Sequence, residues 1–291
     1  MHVSNIIRSI SNLIVLSLNI IFIIIVAICG YFLLDNQNVF SKSDSERFIE
    51  YSPLDKNNKK LSYEDLKKIN SDVIGWIKID GTNIDYPIVQ SIENKKYLYT
   101  DALNNYSSSG SIFVDYKSKP AFDSFITIVY GHHMSNGQMF GELDKYKDKS
   151  YFMNHRTGRL YIRNNERIIE FFSFLDNIDG YDTNFYNPTI NNDLNKKSYL
   201  NSILKNSSIK TNDRISVDDK LVLLSTCNRN ITNGRMILVG RITEKIIRQN
   251  RIKGGGCREE NYIYALWIII ALLCIILIIL LIVLSKRNKR K

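Results

Sequence analysis

The stretch Leu221-Val222-Leu223-Leu224-Ser225-Thr226-Cys227 is followed, eight residues after its cysteine, by Arg235 in Asn233-Gly234-Arg235-Met236-Ile237-Leu238-Val239. It reads as an apolar strand ending on a thiol, a Gly-containing turn, and a second apolar strand opening with an arginine. Strand ends are rigid, so the thiol is held in place and the arginine across the hairpin can lie within a few ångströms of it. Upstream, Ile126-Thr127-Ile128-Val129-Tyr130-Gly131-His132-His133 is a further apolar strand that ends on a histidine pair. Cys, His and Arg at strand ends are the parts of a thiol nucleophile, its acid/base and an electrophilic clamp.

At these residues the chain resembles the sortases, cysteine transpeptidases of Gram-positive cell surfaces. The likeness lies in Leu-Ser-Thr-Cys, Tyr-Gly-His and Asn-Gly-Arg. Three longer stretches are similar to class B sortases in particular: Asp72–Ile77, Asp80–Gln90 and Gly110–Tyr116. The resemblance covers roughly Leu61 to Thr243. It implies a closed sortase-type β-barrel with an inserted helix, and Cys227 as nucleophile, His132 as acid/base and Arg235 as oxyanion clamp. It further implies that Asn94, Leu98, Tyr130 and Ser225 contact a sorting peptide, and that no metal or organic cofactor is needed. The reaction it implies has two halves. Cys227 attacks a Thr carbonyl in the C-terminal sorting signal of a secreted surface protein, and an amine of a peptidoglycan precursor, or of a pilin lysine, then takes the acyl group. Asn228 departs from the family, where an acidic residue often follows the cysteine, which leaves amine recognition open.

Read residue by residue, each assignment has a rival. His133 competes with His132, and a hydrogen-bonded structural histidine is the bland reading of either. Arg229 lies nearer to Cys227 in sequence than Arg235 does. A papain-like protease needs a helix-borne cysteine that precedes its histidine, and here the order is reversed. A non-catalytic membrane-tethered binding domain is the remaining alternative, against which the joint presence of Cys, His and Arg speaks.

The formal charge of +10 suggests nucleic acid, but its distribution does not. With Arg8 and the five basic residues of Lys286–Lys291 set aside, 33 basic residues face 29 acidic ones, a balance of +4 spread over the middle of the chain. That is an ordinary solvated surface, and the basic tail reads as a membrane flank. Cys29 and Cys274 sit in apolar runs, where a thiol is a small hydrophobe. Cys227 and Cys257 offer no CxxC or paired framework, so neither a disulfide scaffold nor a zinc ribbon is indicated. A Cys227–Cys257 disulfide would block the nucleophile.

Leu13–Leu34 is nearly continuously apolar and long enough to span a bilayer, for which about 20 residues suffice. Ala27-Ile28-Cys29 is a poor cleavage site and a poor lipoprotein site, which favours an uncleaved anchor over a signal peptide. Ile263–Leu284 carries no charge and is stopped by Lys286-Arg287-Asn288-Lys289-Arg290-Lys291. The positive-inside rule puts both termini in the cytoplasm and the middle outside. The expected organisation is a cytoplasmic N-terminus over 1–12, an anchor over 13–34, a polar stalk over 35–60 and a catalytic domain over 61–247. A linker over 248–262, a second transmembrane helix over 263–285 and a tail over 286–291 complete it.

Within the domain, Ser62 and Asp65 form a capping box that opens a helix over Leu61–Asn70. Short apolar runs at Val73–Ile79, Ile84–Val89, Ile112–Asp115, Phe125–Tyr130, Arg159–Arg163, Arg167–Phe174, Lys220–Ser225 and Met236–Thr243 predict about eight strands in a mostly antiparallel barrel or sandwich. Leu194, Tyr199, Leu200, Ile203 and Leu204 are spaced as one helical face, which predicts a packing helix within Asn191–Ser207.

Overall fold

A computed structural model of the protein describes residues 2–54, 62–180, 182, 185–227 and 233–243. The stalk's end at 55–60, the linker, Cys257, the second transmembrane stretch and the basic tail lie outside the described residues, as do Asn228 and Arg229. Helix α1 runs His2–Ser43 and contains the expected anchor. Its portion Ser9–Ser43 is long and apolar enough to cross a membrane, and its Ile and Leu side chains, such as Leu13, Leu18 and Ile23, are exposed.

Strands β1 (Val73–Ile79), β2 (Asp85–Val89), β3 (Ile112–Val114), β4 (Ile126–Tyr130), β5 (Thr157–Ile162), β6 (Asn165–Asp179), β7 (Ile209–Lys210), β8 (Lys220–Cys227) and β9 (Gly234–Thr243) form one sheet. Its order is β5-β1-β2-β3-β4-β8-β9-β6, and β6 pairs back onto β5, so eight strands close a ring. β7, which no apolar run announced, is a two-residue addition to the far part of β6. Most pairs are antiparallel, but β2–β3 and β4–β8 are parallel. Helix α2 (Tyr63–Ile69) starts at the predicted Ser62–Asp65 capping box. Helix α3 (Lys149–Asn154) was not legible in the pattern, and α4 (Asp193–Asn206) is the inserted helix, capped by Asn192.

Two apolar layers explain why the central strands read as unbroken hydrophobic runs rather than as alternation. One set of side chains fills the barrel, including Trp76, Ile88, Phe171, Val222, Leu224 and Leu238. The opposite face of β4, β8 and β9 presents Ile126, Ile128, Leu221, Leu223, Ile237 and Val239 to α4 and its approach, through Phe185, Tyr199, Leu200 and Ile203. Strands buried on both faces need apolar residues at every position.

The segment expected as a polar stalk over 35–60 is described as far as residue 54. The compact unit that carries the barrel begins at Asn36, not at residue 61. After α1 the chain makes 3-10 turns at Ser45–Arg47 and Ile49–Tyr51, and Phe48 and Leu54 join the barrel's core. Tyr51 also packs against that core, so the strap is docked by apolar residues scattered in polar sequence. Replacing Ile203, fully buried under the sheet, by Ala should lower unfolding stability by about 2–5 kcal/mol in a denaturant titration. Leu194→Ala on the exposed side of the same helix should stay within about 0.5 kcal/mol.

Candidate active site

Side chains alternate between the faces of a strand with a period of two. On the face that α4 covers, β4 carries Ile126, Ile128 and Tyr130, β8 carries Leu221, Leu223 and Ser225, and β9 carries Val239 and Ile237. The register aligns them in rows: Ile128 beside Leu223 beside Val239, then Tyr130 beside Ser225 beside Ile237. The next row on β8 and β9 is Cys227 paired with Arg235. His132, two residues beyond Tyr130, continues the same row from β4. The three adjacent strands therefore bring a histidine, a cysteine and an arginine to one level of one face, just past the apolar rows. The sulfur is exposed while Ser225 and Thr226 before it are buried.

The Arg235 guanidinium donates from Nη1 to the Cys227 sulfur at 2.7 Å. The guanidinium thus places a fixed, charged N–H donor directly beside the sulfur. Gly180, just after β6, makes room for it. A Cβ there would stand 2.9 Å from Arg235 Nε and 3.0 Å from the Asn233 carbonyl.

His132 does not reach the sulfur by a hydrogen bond among the described residues. Its Nε2 lies 3.1 Å from the Leu98 carbonyl. A carbonyl only accepts, so Nε2 carries the hydrogen and Nδ1 is left to exchange a proton. Burial lowers the His132 pKa from its ordinary 6.5; the Leu98 carbonyl opposes this, and the Arg235 charge reinforces it. His133 has a different setting. Its ring is almost fully covered and bonds Asp144 Oδ2 at 2.6 Å through Nε2, so it braces the loop instead of facing the thiol.

The residues expected at a peptide groove line up beside this row with their polar groups already engaged. Tyr130 donates to Asp115 Oδ2 at 3.3 Å, and Asn94 Nδ2 donates to the same oxygen at 2.8 Å. The Tyr116 amide donates to Asn94 Oδ1 at 3.0 Å. Ser225 Oγ lies 3.1 Å from the Tyr186 hydroxyl, and the Tyr186 ring stacks on Tyr130 with centroids 6.2 Å apart. Leu98 enters through its carbonyl, while its side chain packs against the core. Burial raises the Tyr186 pKa to about 12, with the Ser225 hydrogen bond and the Arg235 charge opposing it. Sequence reasoning missed Tyr186, Asp115 and Gly180. Tyr186 lies in a loop without periodicity, and Asp115 had only its place at the end of a strand to single it out.

The sortase-domain family profile matches residues 77–243. Sortase B of Listeria monocytogenes is 34% identical over 186 residues, 62% of this chain and 74% of that protein. Among solved structures, sortase B from the type II pilus of Streptococcus pneumoniae is 39% identical with a TM-score of 0.54, covering 62% of this chain and 97% of that one. Staphylococcus aureus sortase B in its substrate complex is 29% identical with a TM-score of 0.58, over 62% and 84% of the two chains. With the barrel, the row of strand-end residues and these relatives in agreement, the chain belongs to the sortase family and is a class B-type cysteine transpeptidase.

Proposed function

We propose that the row His132–Cys227–Arg235 is the catalytic centre and that the enzyme joins secreted proteins bearing a C-terminal sorting signal to an amine of a peptidoglycan precursor. The observation that carries this is the contact between the Arg235 guanidinium and an exposed strand-end sulfur. The Cys227 thiol passes its proton to His132 Nδ1 as the sulfur attacks the Thr carbonyl, Arg235 holds the oxyanion, and the scissile C–N bond breaks as His132 gives that proton to the leaving amine. The incoming amine then surrenders a proton to His132 as it attacks the thioester, the C–S bond breaks, and the proton returns from His132 to the departing sulfur. Splitting the exchange in two is ordinary covalent catalysis. Asn94, Tyr130, Ser225 and the newly seen Tyr186 form the wall along which the sorting peptide lies, with the Leu98 backbone beside it. An outward-facing catalytic domain, tethered to the plasma membrane by α1 and by the apolar stretch 263–285 with both termini cytoplasmic, fits this chemistry.

A second reading replaces the wall amine by a pilin lysine. The pneumococcal relative supports it, since that protein comes from a type II pilus. Supplying a sorting peptide with either triglycine or a lysine-bearing pilin peptide separates the two. Product with triglycine alone supports wall attachment, and product with the lysine peptide alone supports pilus assembly.

Cys227→Ala should abolish both peptide cleavage and capture of the acyl enzyme by mass spectrometry. Arg235→Ala should lower kcat by roughly 10²–10³ with folding retained, the usual effect of losing one oxyanion donor. His132→Ala should cost about 10²–10⁴ in rate, whereas His133→Ala should leave the chemical step intact and act on loop stability.

The depressed proton affinity of His132 has a signed consequence. Its folded pKa lies below the unfolded value of 6.5, so the unfolded chain binds more protons between the two. The stability this group confers is complete above 6.5 and is lost as pH falls through the folded value. Arg235→Gln removes the repelling charge, and an NMR titration of the His132 ring should then move upward, towards 6.5. An unmoved titration would separate the two residues.

A further inference from the structure

Of the three aligned groups, His132 alone stands beyond the hydrogen-bonded ladder, whose last bond runs from the Gly131 amide to the Ser225 carbonyl at 3.2 Å. Its placement therefore depends on two loop segments. One is the turn 133–140. The Phe140 amide donates to the His132 carbonyl at 3.0 Å, and the Phe140 ring lies so close to Gly131 that a Cβ there would be 2.7 Å away. The other is the segment 96–106, whose Leu98 carbonyl receives the imidazole N–H.

Both segments are held from outside by the strap that follows α1. The Tyr86 hydroxyl, buried on β2, donates to the Ser43 carbonyl at 2.8 Å and accepts from the Met139 amide at 3.0 Å. Consecutive amides of one turn thus go to Tyr86 and to His132. Met139 adopts a left-handed backbone with φ of 53°, a conformation unfavourable for a side chain without a compensating hold. Beside it, the Ser43 hydroxyl contacts Gln138 Oε1. Four residues along the strap, Arg47 bonds Asp101 Oδ2 at 3.3 Å. That nearly buried carboxylate organises the 101–105 turn, its Oδ1 accepting the amides of Leu103 and Asn105 at 2.9 Å each.

We propose that the strap, acting through the Tyr86 hydroxyl and the Arg47–Asp101 pair, is a positioning element for His132. Tyr86 and Arg47 touch no reacting atom. They fix the two segments that set the imidazole's backbone and its hydrogen-bond partner. The proposal rests on His132 serving as the acid/base, and its test separates the two ideas.

The full chain in detergent is compared with Tyr86→Phe, which keeps the ring and removes the hydroxyl, and with Arg47→Ala. Each should lower kcat about tenfold while KM for the sorting peptide stays within twofold, because Tyr130, Ser225 and Tyr186 of the peptide wall lie outside the two segments the strap holds. Hydrogen exchange at the Met139 and Phe140 amides should accelerate about tenfold in Tyr86→Phe. Phe48→Leu, which loosens the strap without altering the hub, should show the same kcat-weighted loss on a smaller scale. A role confined to stability would lower Tm and leave the kcat of the folded fraction unchanged. Parental kcat in folded Tyr86→Phe and Arg47→Ala, or a loss carried by KM, overturns the proposal. An unaffected His132→Ala overturns instead the reading on which it rests.

Discussion

The register between β8 and β9 is the constraint on which the site depends. Eight consecutive pairs run without a bulge from Lys220 opposite Ile242 to Cys227 opposite Arg235. Because side chains alternate, a slip of one residue would turn Arg235 into the barrel and set Met236 beside the sulfur. The apolar rows below the site prevent this. Leu221, Leu223, Ile237 and Val239 must face α4, and Val222, Leu224 and Leu238 must face the barrel, so burial on two faces specifies the register twice over. The neighbouring β6–β9 pairing breaks register at two places, one of them at Leu175–Ile178, close to the residues opposite Arg235. The irregularity falls on β6, which carries none of His132, Cys227 and Arg235, and the β8–β9 register is kept through it.

Arg235 acts on both of its partners. It donates a hydrogen bond to the sulfur, and its positive charge disfavours a second proton on His132. Burial pushes the imidazole the same way, while the Leu98 carbonyl, accepting from Nε2, holds the ring in one tautomer and partly restores its basicity. A neutral ring with Nδ1 open to proton exchange suits the acid/base role proposed for it. Hydroxyls nearby add no competing charge. Tyr130 and Tyr186 are both shifted upward by burial and remain protonated, and they stack beside Ser225 as a neutral, partly apolar wall.

How much of this was legible follows from what a linear pattern can carry. β1 occupies the predicted Val73–Ile79, α2 starts at the predicted Ser62 cap, and α4 falls within the predicted Asn191–Ser207, because apolar runs and capping residues are local signals. The strand-end positions of Cys227 and Arg235 were equally local, and the hairpin's length brought them together. Parallel pairing of β4 with β8 was not legible, since those strands lie about 90 residues apart and their composition is the same for either direction. Tyr186, Asp115 and Gly180 matter through who stands next to them in space, which no periodicity records. The docking of the strap was not legible for a related reason. Phe48 and Leu54 are scattered in polar sequence, and their burial depends on a surface built by residues far downstream.

The division of labour between ladder and loops explains why such a strap is needed at all. Cys227 and Arg235 are the terminal pair of a continuous antiparallel ladder, so the barrel's own hydrogen bonds and packing fix them. His132 has left β4, and among the described residues the last bond between β4 and β8 is that from the Gly131 amide to the Ser225 carbonyl. An imidazole carried by a free turn would sample many orientations, and proton transfer requires one. The structure supplies that order from the side, with consecutive amides at Met139 and Phe140 tied to Tyr86 and His132, and with Leu98 fixing the ring. Tyr86 belongs to the barrel through β2 and meets the chain emerging from α1 at Ser43, so the least constrained member of the row is placed by the segment that joins the barrel to its apolar helix.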